Sequence, residues 1–490
     1  SARCQVGGDR CAEDDTVAAS LVCGQSGSAM TLLAKWLAEG ARQYPSLDAL
    51  RTSRGQWRYD ELAALASQGG QTLRSDGLLA GDIAAFAAGA GELAIGALAC
   101  SSAGVALLPL DPLTADRAWP KMQALAGGCL KRLAALPIAS PAGPVPPALT
   151  GRPDDLALVI ATSGSEGEAK AVMLNNTNLD AAARAANRCL SLSAGDCWLG
   201  CLPLYHVGGI SLLYRCLRAG ATLLLHERFS AAAVWHALHA SRVSHISLVP
   251  AMLAQLLDVA DGASPPKALR HALIGGASLS RPLCERALAS DWPICPTWGM
   301  SETAAQAATL LRPGSDWHVG QVGRLLPGLE ARVAADERLH LRGAQVMHGY
   351  LNPECRRGHG LDDGWLATTD LGSLAADGQV TIHGRADDML IVGGVKVHPA
   401  TIESCLAACP GVADVAVTRL PDPVWGDFLV ALIVGTAQSA TLEAWVRNSL
   451  TAAQRPRRVL RVDGLPRSAM GKLDRAQLRT LLRETVQGPG

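Results

Sequence analysis

Five consecutive apolar residues, Leu156-Ala157-Leu158-Val159-Ile160, run without a break into Ala161-Thr162-Ser163-Gly164-Ser165-Glu166-Gly167-Glu168-Ala169-Lys170-Ala171-Val172. An apolar run that short suits a buried strand, and the hydroxyl- and glycine-rich segment behind it predicts a loop projecting from a sheet edge. A loop of this composition suits phosphate. Ser and Thr hydroxyls and unhindered glycine N–H groups can surround an anion, and Lys170 adds a point charge. The same composition also makes plain connections, and it is not the Walker pattern, since no Gly-Lys-Ser/Thr closes it.

The rest of the chain has to supply the sheet. Apolar helical spacing begins at Leu32, Leu33, Trp36 and Leu37, and Trp57-Arg58-Tyr59-Asp60-Glu61-Leu62 opens a second helix. Short apolar runs, Ile83 to Phe86 and Val105 to Leu110, then alternate with Ala-rich helical stretches. This is the βαβ rhythm of a layered α/β fold. A Pro-rich stretch, Pro137 to Pro153, reads as a surface linker within that body. Downstream, three more short strands each end in an unusual loop: His245 to Pro250, Ala272-Leu273-Ile274-Gly275-Gly276-Ala277, and Ile294 to Thr303 through Trp298-Gly299-Met300-Ser301-Glu302. Ligands of open α/β sheets bind where strand ends meet loops, so these three are expected to converge beside the first loop.

With 490 residues the chain exceeds one ordinary core at about 150 residues per domain. Lys+Arg and Asp+Glu both total 44, which gives no electrostatic reason to expect a nucleic acid or an anionic membrane and leaves a small molecule as the default ligand. The 14 cysteines are scattered without a Cys-x-x-Cys pair and are expected to be reduced, mostly buried thiols. His236, His239 and His245 lack an accompanying Cys or carboxylate cluster, so no structural zinc is expected. No apolar run approaches the roughly 18 residues of a membrane helix, and residues 1–29 lack a signal-peptide pattern, so a soluble, cytoplasmic protein is expected. Residues 1–30, polar and without period, are expected to be disordered or an appended leader.

The order of the motifs carries more than any one of them. From about Thr31 to Leu482 the chain resembles the acyl-adenylate-forming superfamily, which includes acyl-CoA and aryl-CoA synthetases, luciferases and nonribosomal adenylation domains. Thr162, Ser163, Gly164, Ser165, Gly167 and Lys170 match its phosphate loop. Pro203-Leu204-Tyr205-His206-Val207-Gly208-Gly209 resembles the motif whose aromatic and His line the acyl pocket. Gly275, Gly276 and Ala277 resemble the adenine-side segment, and Trp298-Gly299-Met300-Ser301-Glu302 is similar to the aromatic-Gly-x-Thr-Glu motif. In that motif the aromatic flanks adenine, the hydroxyl touches phosphate and Glu helps hold magnesium. Asp370 falls where the family's Asp grips the ribose hydroxyls, Arg385 on the ribose side, Asp387 at the hinge, and Lys472 in the catalytic-lysine loop Met470-Gly471-Lys472-Leu473. Gly394 falls beside the pantetheine path of the second half-reaction.

The resemblance implies a large N-terminal α/β body, residues 31–384, and a small mobile α+β domain, residues 385–490, that turns about Asp387 to bring Lys472 to the α-phosphate. It implies ATP, magnesium and coenzyme A, with Lys472, Glu302 and His206 as the catalytic set. A carboxylate attacks the α-phosphate, pyrophosphate leaves and charge builds on both centres, so positioning and electrostatics carry the catalysis. Tyr205-His206-Val207-Gly208-Gly209 lacks the Asp with which amino-acid-activating members meet an ammonium, which points to an acid without an α-amine and to a CoA ligase. The run from Leu202 through Arg215 looks especially like o-succinylbenzoate-CoA ligases, in which an Arg at this position can meet a second carboxylate; a solvated helix face is the other reading of Arg215.

The chain departs from the family at Glu166, where Thr is usual, at Ala169 and Ala171, where Pro and Gly are, and at Lys396, where some branches carry Arg. Two other functions stay open beside the CoA ligase: an adenylation enzyme that loads a separate carrier protein, and a silent nucleotide-binding relative. A monomer or a homodimer is expected.

Overall fold

The computed structural model describes residues 31–126, 130–135, 152, 154–163, 169–392, 395–422, 426–467 and 473–487. The Pro-rich linker and residues 1–30 fall almost wholly outside them. The opening apolar run is a strand, but it reaches further than its apolar residues. Leu156–Ser163 pairs antiparallel with Ala169–Asn175, in a register that sets Thr162 opposite Lys170. Much of the segment read as loop is therefore ladder, because Thr162 and Val172 are good strand formers and pairing satisfies their backbone groups. The intervening residues 164–168 lie outside the described set.

These two strands belong to a six-stranded sheet ordered Gly349–Tyr350, Ala169–Asn175, Leu156–Ser163, Ala106–Leu110, Ile83–Ala87 and Leu130–Leu133, the last four parallel. The helix Ala90–Ala103 follows one of them and buries 12 of its 14 residues. A helix with no polar face must be covered on all sides, and Leu32–Gln43 and Tyr59–Ser75 pack against it. The latter begins two residues later than the sequence suggests. Trp57 and Arg58 end the strand Gly55–Arg58, and the Arg58 backbone N–H donates to Glu61 Oε2 at 2.9 Å, fixing the helix start at Tyr59.

A 13-stranded sheet makes the second layer. Its centre is parallel, in the spatial order Thr222–Leu225, Cys197–Gly200, His245–Leu248, His271–Ile274 and Ile294–Trp298. Beyond Trp298 it turns antiparallel through Ala308–Thr309, Gln321–Leu325, Gln379–Arg385, Leu366–Leu374, Arg338–Gly343 and Leu329–Val333. One apolar cluster, with Leu107, Leu158, Trp198, Leu273 and Val380, joins both sheets.

After Arg385 a short turn, Ala386–Asp388, leads to a five-stranded sheet of Leu390–Val392, Val395–Val397, Val412–Asp422, Gly426–Gly435 and Arg458–Arg461. Its core, around Ile402, Leu406, Leu429 and Ile433, is separate from that of the large sheets. The ten described cysteines are free thiols, seven of them buried. No described helix is long and apolar enough to cross a membrane.

Candidate active site

Four adjacent parallel strands, ending at Gly200, Leu248, Ile274 and Trp298, open their carboxyl ends on one rim, and the loops that follow them, with Tyr205-His206, Pro250, Gly275-Gly276-Ala277 and Gly299 to Glu302, hang from it. That rim is where an open parallel sheet binds ligands. Gly275 follows Ile274 closely enough that a Cβ would lie 2.8 Å from Thr297 Cγ2 on the next strand, while Gly276 and Ala277 are exposed.

On one side of the rim an aromatic, a carboxylate and a guanidinium stand in series. Trp298, 8% exposed, donates its indole N–H to Asp370 Oδ2 at 2.7 Å. Asp370 and Arg385 are opposite each other in an antiparallel register, with Arg385 Nη1 3.9 Å from Asp370 Oδ1. Arg385 Nη2 also reaches Asp387 Oδ2 at 3.3 Å. The Asp370 side chain keeps 14% of its surface, enough for a carboxylate to accept further hydroxyls.

The loop from Gly299 to Ala307 folds back sharply. Ala307 N donates to Trp298 O at 2.8 Å and Ala305 N to Met300 O at 3.0 Å. A Cβ on Gly299 would collide with the Ala305 carbonyl, so only glycine closes this turn. Ala304 and Ala305 both sit at positive φ, 51° and 98°, backbone strain of the kind that clusters at ligand sites. Ser301 and Glu302 occupy the tip in a short 3-10 turn, Ser301–Thr303. Glu302 Oε1 accepts from the Tyr350 hydroxyl at 2.8 Å, and the Tyr350 phenol is pushed up in pKa by burial and by Glu302. Lys170 Nζ lies 5.5 Å from the centroid of the same ring. The Thr162 hydroxyl donates to Lys170 O at 3.3 Å.

On the acyl side, the Tyr205 and His206 rings lie side by side, tilted at 51° with centroids 4.8 Å apart, just before the helix Val207–Ala219. A Cβ on Gly209 would strike the Pro203 carbonyl, so the turn crosses the first helical turn at a distance only glycine allows. Arg215 lies two turns further along the same helix. It is 3% exposed, over the Trp198 ring at 5.4 Å, and burial brings its pKa down to about 10. No described carboxylate pairs with it. It is thus not on a solvated face, and the structure does not join it directly to Tyr205 and His206.

Gly164, Ser165, Gly167, Glu166, Gly394 and Lys472 lie outside the described residues, as do the side chains of Ser163 and Ala169. Sequence reasoning missed Tyr350. Its one signal is rarity, since the chain has 5 tyrosines in 490 residues, and both Tyr205 and Tyr350 lie at this rim. Glu302 fits a divalent cation in one respect. With Oε1 engaged by Tyr350, its second oxygen has no described protein partner, and hard oxygen is what magnesium takes. Among the described residues no group of three or more His, Cys, Asp and Glu could hold a metal without ligand oxygens.

Comparison with known proteins gives a consistent answer. The AMP-binding enzyme family matches residues 125–351, and the AMP-binding enzyme C-terminal domain matches residues 401–472. A 2-succinylbenzoate–CoA ligase of Bacillus cereus is 33% identical over 337 residues, 66% of this chain and 70% of that protein. The o-succinylbenzoate CoA synthetase (MenE) of Bacillus subtilis, solved with the acyl-adenylate OSB-AMP, superposes with a TM-score of 0.78 at 27% identity, covering 92% of this chain and 98% of that one. Its complex with ATP and magnesium gives 0.79 at 27% identity over 91% and 99%. ATP-bound MatB from Rhodopseudomonas palustris gives 0.78 at 25% identity over 92% and 99%.

Proposed function

The chain belongs to the AMP-binding enzyme family, and from that premise we propose that it is an AMP-forming carboxylic acid–CoA ligase, with o-succinylbenzoate as the favoured acid. The observation that carries the reading is convergence. Trp298, Asp370 and Arg385 stand on the same strand-end rim as Glu302 and Lys170, an aromatic-and-carboxylate pair suited to a nucleoside beside a cation and a carboxylate suited to magnesium-bound phosphates.

In the first half-reaction the acid's carboxylate attacks the α-phosphate of ATP, and pyrophosphate leaves as the acyl-adenylate forms. Trp298 flanks the adenine with Gly275, Gly276 and Ala277, and Asp370 accepts the ribose hydroxyls with Arg385 beside it. Thr162, Ser163, Gly164, Ser165, Gly167 and Lys170 surround the outgoing phosphates, with Ser301 beside them. Glu302 would hold the magnesium that neutralises phosphate charge. In the second half-reaction the CoA thiol attacks the acyl carbonyl and AMP leaves, along a path bordered by Gly394. We assign residues 31–384 to the nucleotide and acyl body and residues 385–490 to a domain that turns about Asp387. That rotation exchanges Lys472, which meets the α-phosphate in the first half-reaction, for the pantetheine path.

Arg215 gives the acid its second contact. A buried guanidinium with no described carboxylate partner is costly unless a ligand supplies one. At about 1.5 Å per residue it lies roughly 10 Å along the helix from Gly208, a distance suited to the far end of an extended dicarboxylate whose reacting end is at His206. The test is acid-dependent ATP–pyrophosphate exchange over aryl dicarboxylates and simple monocarboxylates, followed by thioester formation with CoA or with a carrier protein. Arg215→Leu should raise KM for the dicarboxylate on the order of ten- to a hundred-fold and leave monocarboxylates unchanged. Equal losses on both acids would sink the dicarboxylate assignment, and ATP binding with no exchange on any acid would favour the silent relative.

A further inference from the structure

Opposite charges facing one small site tend to find each other. Lys170 and Glu302 both belong to the proposed nucleotide site, and each is useful only while it is not neutralised by the other. Among the described residues no carboxylate lies within ion-pair distance of Lys170, although it and Glu302 both touch Tyr350.

The tyrosine is held between them by backbone bonds on both sides. Tyr350 is opposite Val172, and Leu351 N donates to Ala171 O at 2.7 Å, which ties it to the strand carrying Lys170. Met347 N donates to Glu302 O at 2.8 Å, which ties the same segment to the turn carrying Glu302. Tyr350 N donates in turn to His359 O at 2.8 Å. The ring cannot slide toward either charge without breaking ladder hydrogen bonds. Its hydroxyl takes one oxygen of Glu302 and its face takes the ammonium, two interactions that orient a charge without cancelling it.

We infer that Tyr350 is a positioning residue of the nucleotide site, a neutral spacer whose hydroxyl aims Glu302 and whose ring parks Lys170, so that the carboxylate is kept for a divalent cation and the ammonium for phosphate. This rests on the nucleotide-site reading above. The phenol is the donor of this pair, since an ionised carboxylate can only accept.

The experiment is calorimetric binding of ATP to the full chain, with magnesium and with chelator, for the wild type, Tyr350→Phe, Tyr350→Leu and Tyr350→Leu/Glu302→Gln, with melting curves as a folding control. Tyr350→Phe keeps the spacer and loses the hydroxyl, so magnesium-free affinity should stay near wild type while the gain from magnesium falls about tenfold, the scale of one charge-assisted hydrogen bond. Tyr350→Leu removes ring and hydroxyl, freeing Lys170 to close on Glu302, and should weaken binding in both buffers. Adding Glu302→Gln removes the captor and should restore the magnesium-free affinity. Variants that bind as wild type does, or a double variant no better than Tyr350→Leu, overturn the role of Tyr350 alone. A wild type that binds no ATP in either buffer overturns the nucleotide site itself and the spacer with it. Tyr350→Phe keeps the ring packing, so its magnesium dependence decides the matter even if the leucine variants unfold.

Discussion

Replacing Trp298 with Phe separates two things one side chain does at once. The indole face is expected to flank adenine, and a phenyl ring keeps that surface; the indole N–H holds Asp370 Oδ2 at 2.7 Å, and a phenyl ring has nothing to put there. A neutral donor to an ionised acceptor is worth about 1.5–3 kcal/mol, on the order of ten- to a hundred-fold in kcat/KM for ATP. Two other contacts of Asp370 are looser than this bond. Arg385 stands 3.9 Å off, and Thr368 Oγ1 accepts only the Asp370 backbone N–H, at 3.1 Å. A released carboxylate should swing toward Arg385 and lose its aim at the sugar. The assay is pyrophosphate exchange with ATP and with 2′-deoxy- and 3′-deoxy-ATP, on wild type, Trp298→Phe and Asp370→Asn. Wild type should prefer the ribonucleotide, and both variants should lose most of that preference. The smaller ring also leaves a void beneath an 8% exposed side chain, so a lower melting temperature is expected and is not itself evidence. If Trp298→Phe weakens all three nucleotides equally and keeps the wild-type ratio, the tryptophan only stacks and the Asp370 bond has no part in ribose selection.

Two further outcomes follow from the same reasoning. His245 is fully buried, its Nε2 3.0 Å from Leu190 O, and burial, with His271 5.2 Å away ring to ring, brings its pKa from 6.5 down to about 4. The unfolded chain therefore binds its proton first, and stability present above pH 6.5 should be lost as pH falls toward 4. At about 1.36 kcal/mol per unit the loss is roughly 3 kcal/mol, and denaturant melts between pH 7 and pH 4.5 should show a shallower slope in His245→Gln; an unchanged slope would assign the acid sensitivity elsewhere. Lys472→Ala should slow adenylate formation far more than thioester formation from supplied adenylate, and normal adenylation in that variant would refute the lysine's assignment.

Three strands of the parallel half of the large sheet, His245–Leu248, His271–Ile274 and Ile294–Trp298, were legible because each is a short apolar run that ends in a distinctive loop. Buried parallel strands have few other ways to look. The antiparallel half was not, since segments such as Leu329–Val333 and Arg338–Gly343 carry Arg and Glu on an exposed face and read as polar chain. The hairpin around Lys170 was read as loop for a related reason: Ser, Thr and Ala next to glycine signal a turn more strongly than they signal a ladder. At the site, identity was legible and connection was not. Trp298 and Asp370 both stood out in their own motifs, yet the bond between them spans 72 residues. Tyr350 sits on a strand of two residues, too short for any periodicity, and acts on partners 48 and 180 positions away.

The way charge is held differs between the site and the rest of the chain. Beside the small C-terminal sheet Arg475, at the start of the helix Arg475–Gln487, is clamped by Glu403 at 2.8 Å with Asp388 at 3.8 Å, a cluster of opposite charges that satisfies itself. At the strand-end rim the partners are mostly neutral aromatics. Tyr350 meets Glu302 and Lys170, and Trp298 meets Asp370; two helical turns below, Trp198 lies under Arg215. For Glu302, Lys170 and Arg215 a salt bridge would give orientation as well, but it would also cancel the field a phosphate, a cation or a second carboxylate must meet, and breaking it would be charged against binding. An aromatic N–H, O–H or ring face fixes direction and leaves most of the charge uncompensated. In a chain with only 4% aromatic residues, three set against four charged groups in and just below one rim are an economical use of them. The consequence is chemical: substitutions that swap these aromatics for aliphatics should damage ligand binding before they damage the fold, whereas breaking the Arg475 cluster should do the reverse.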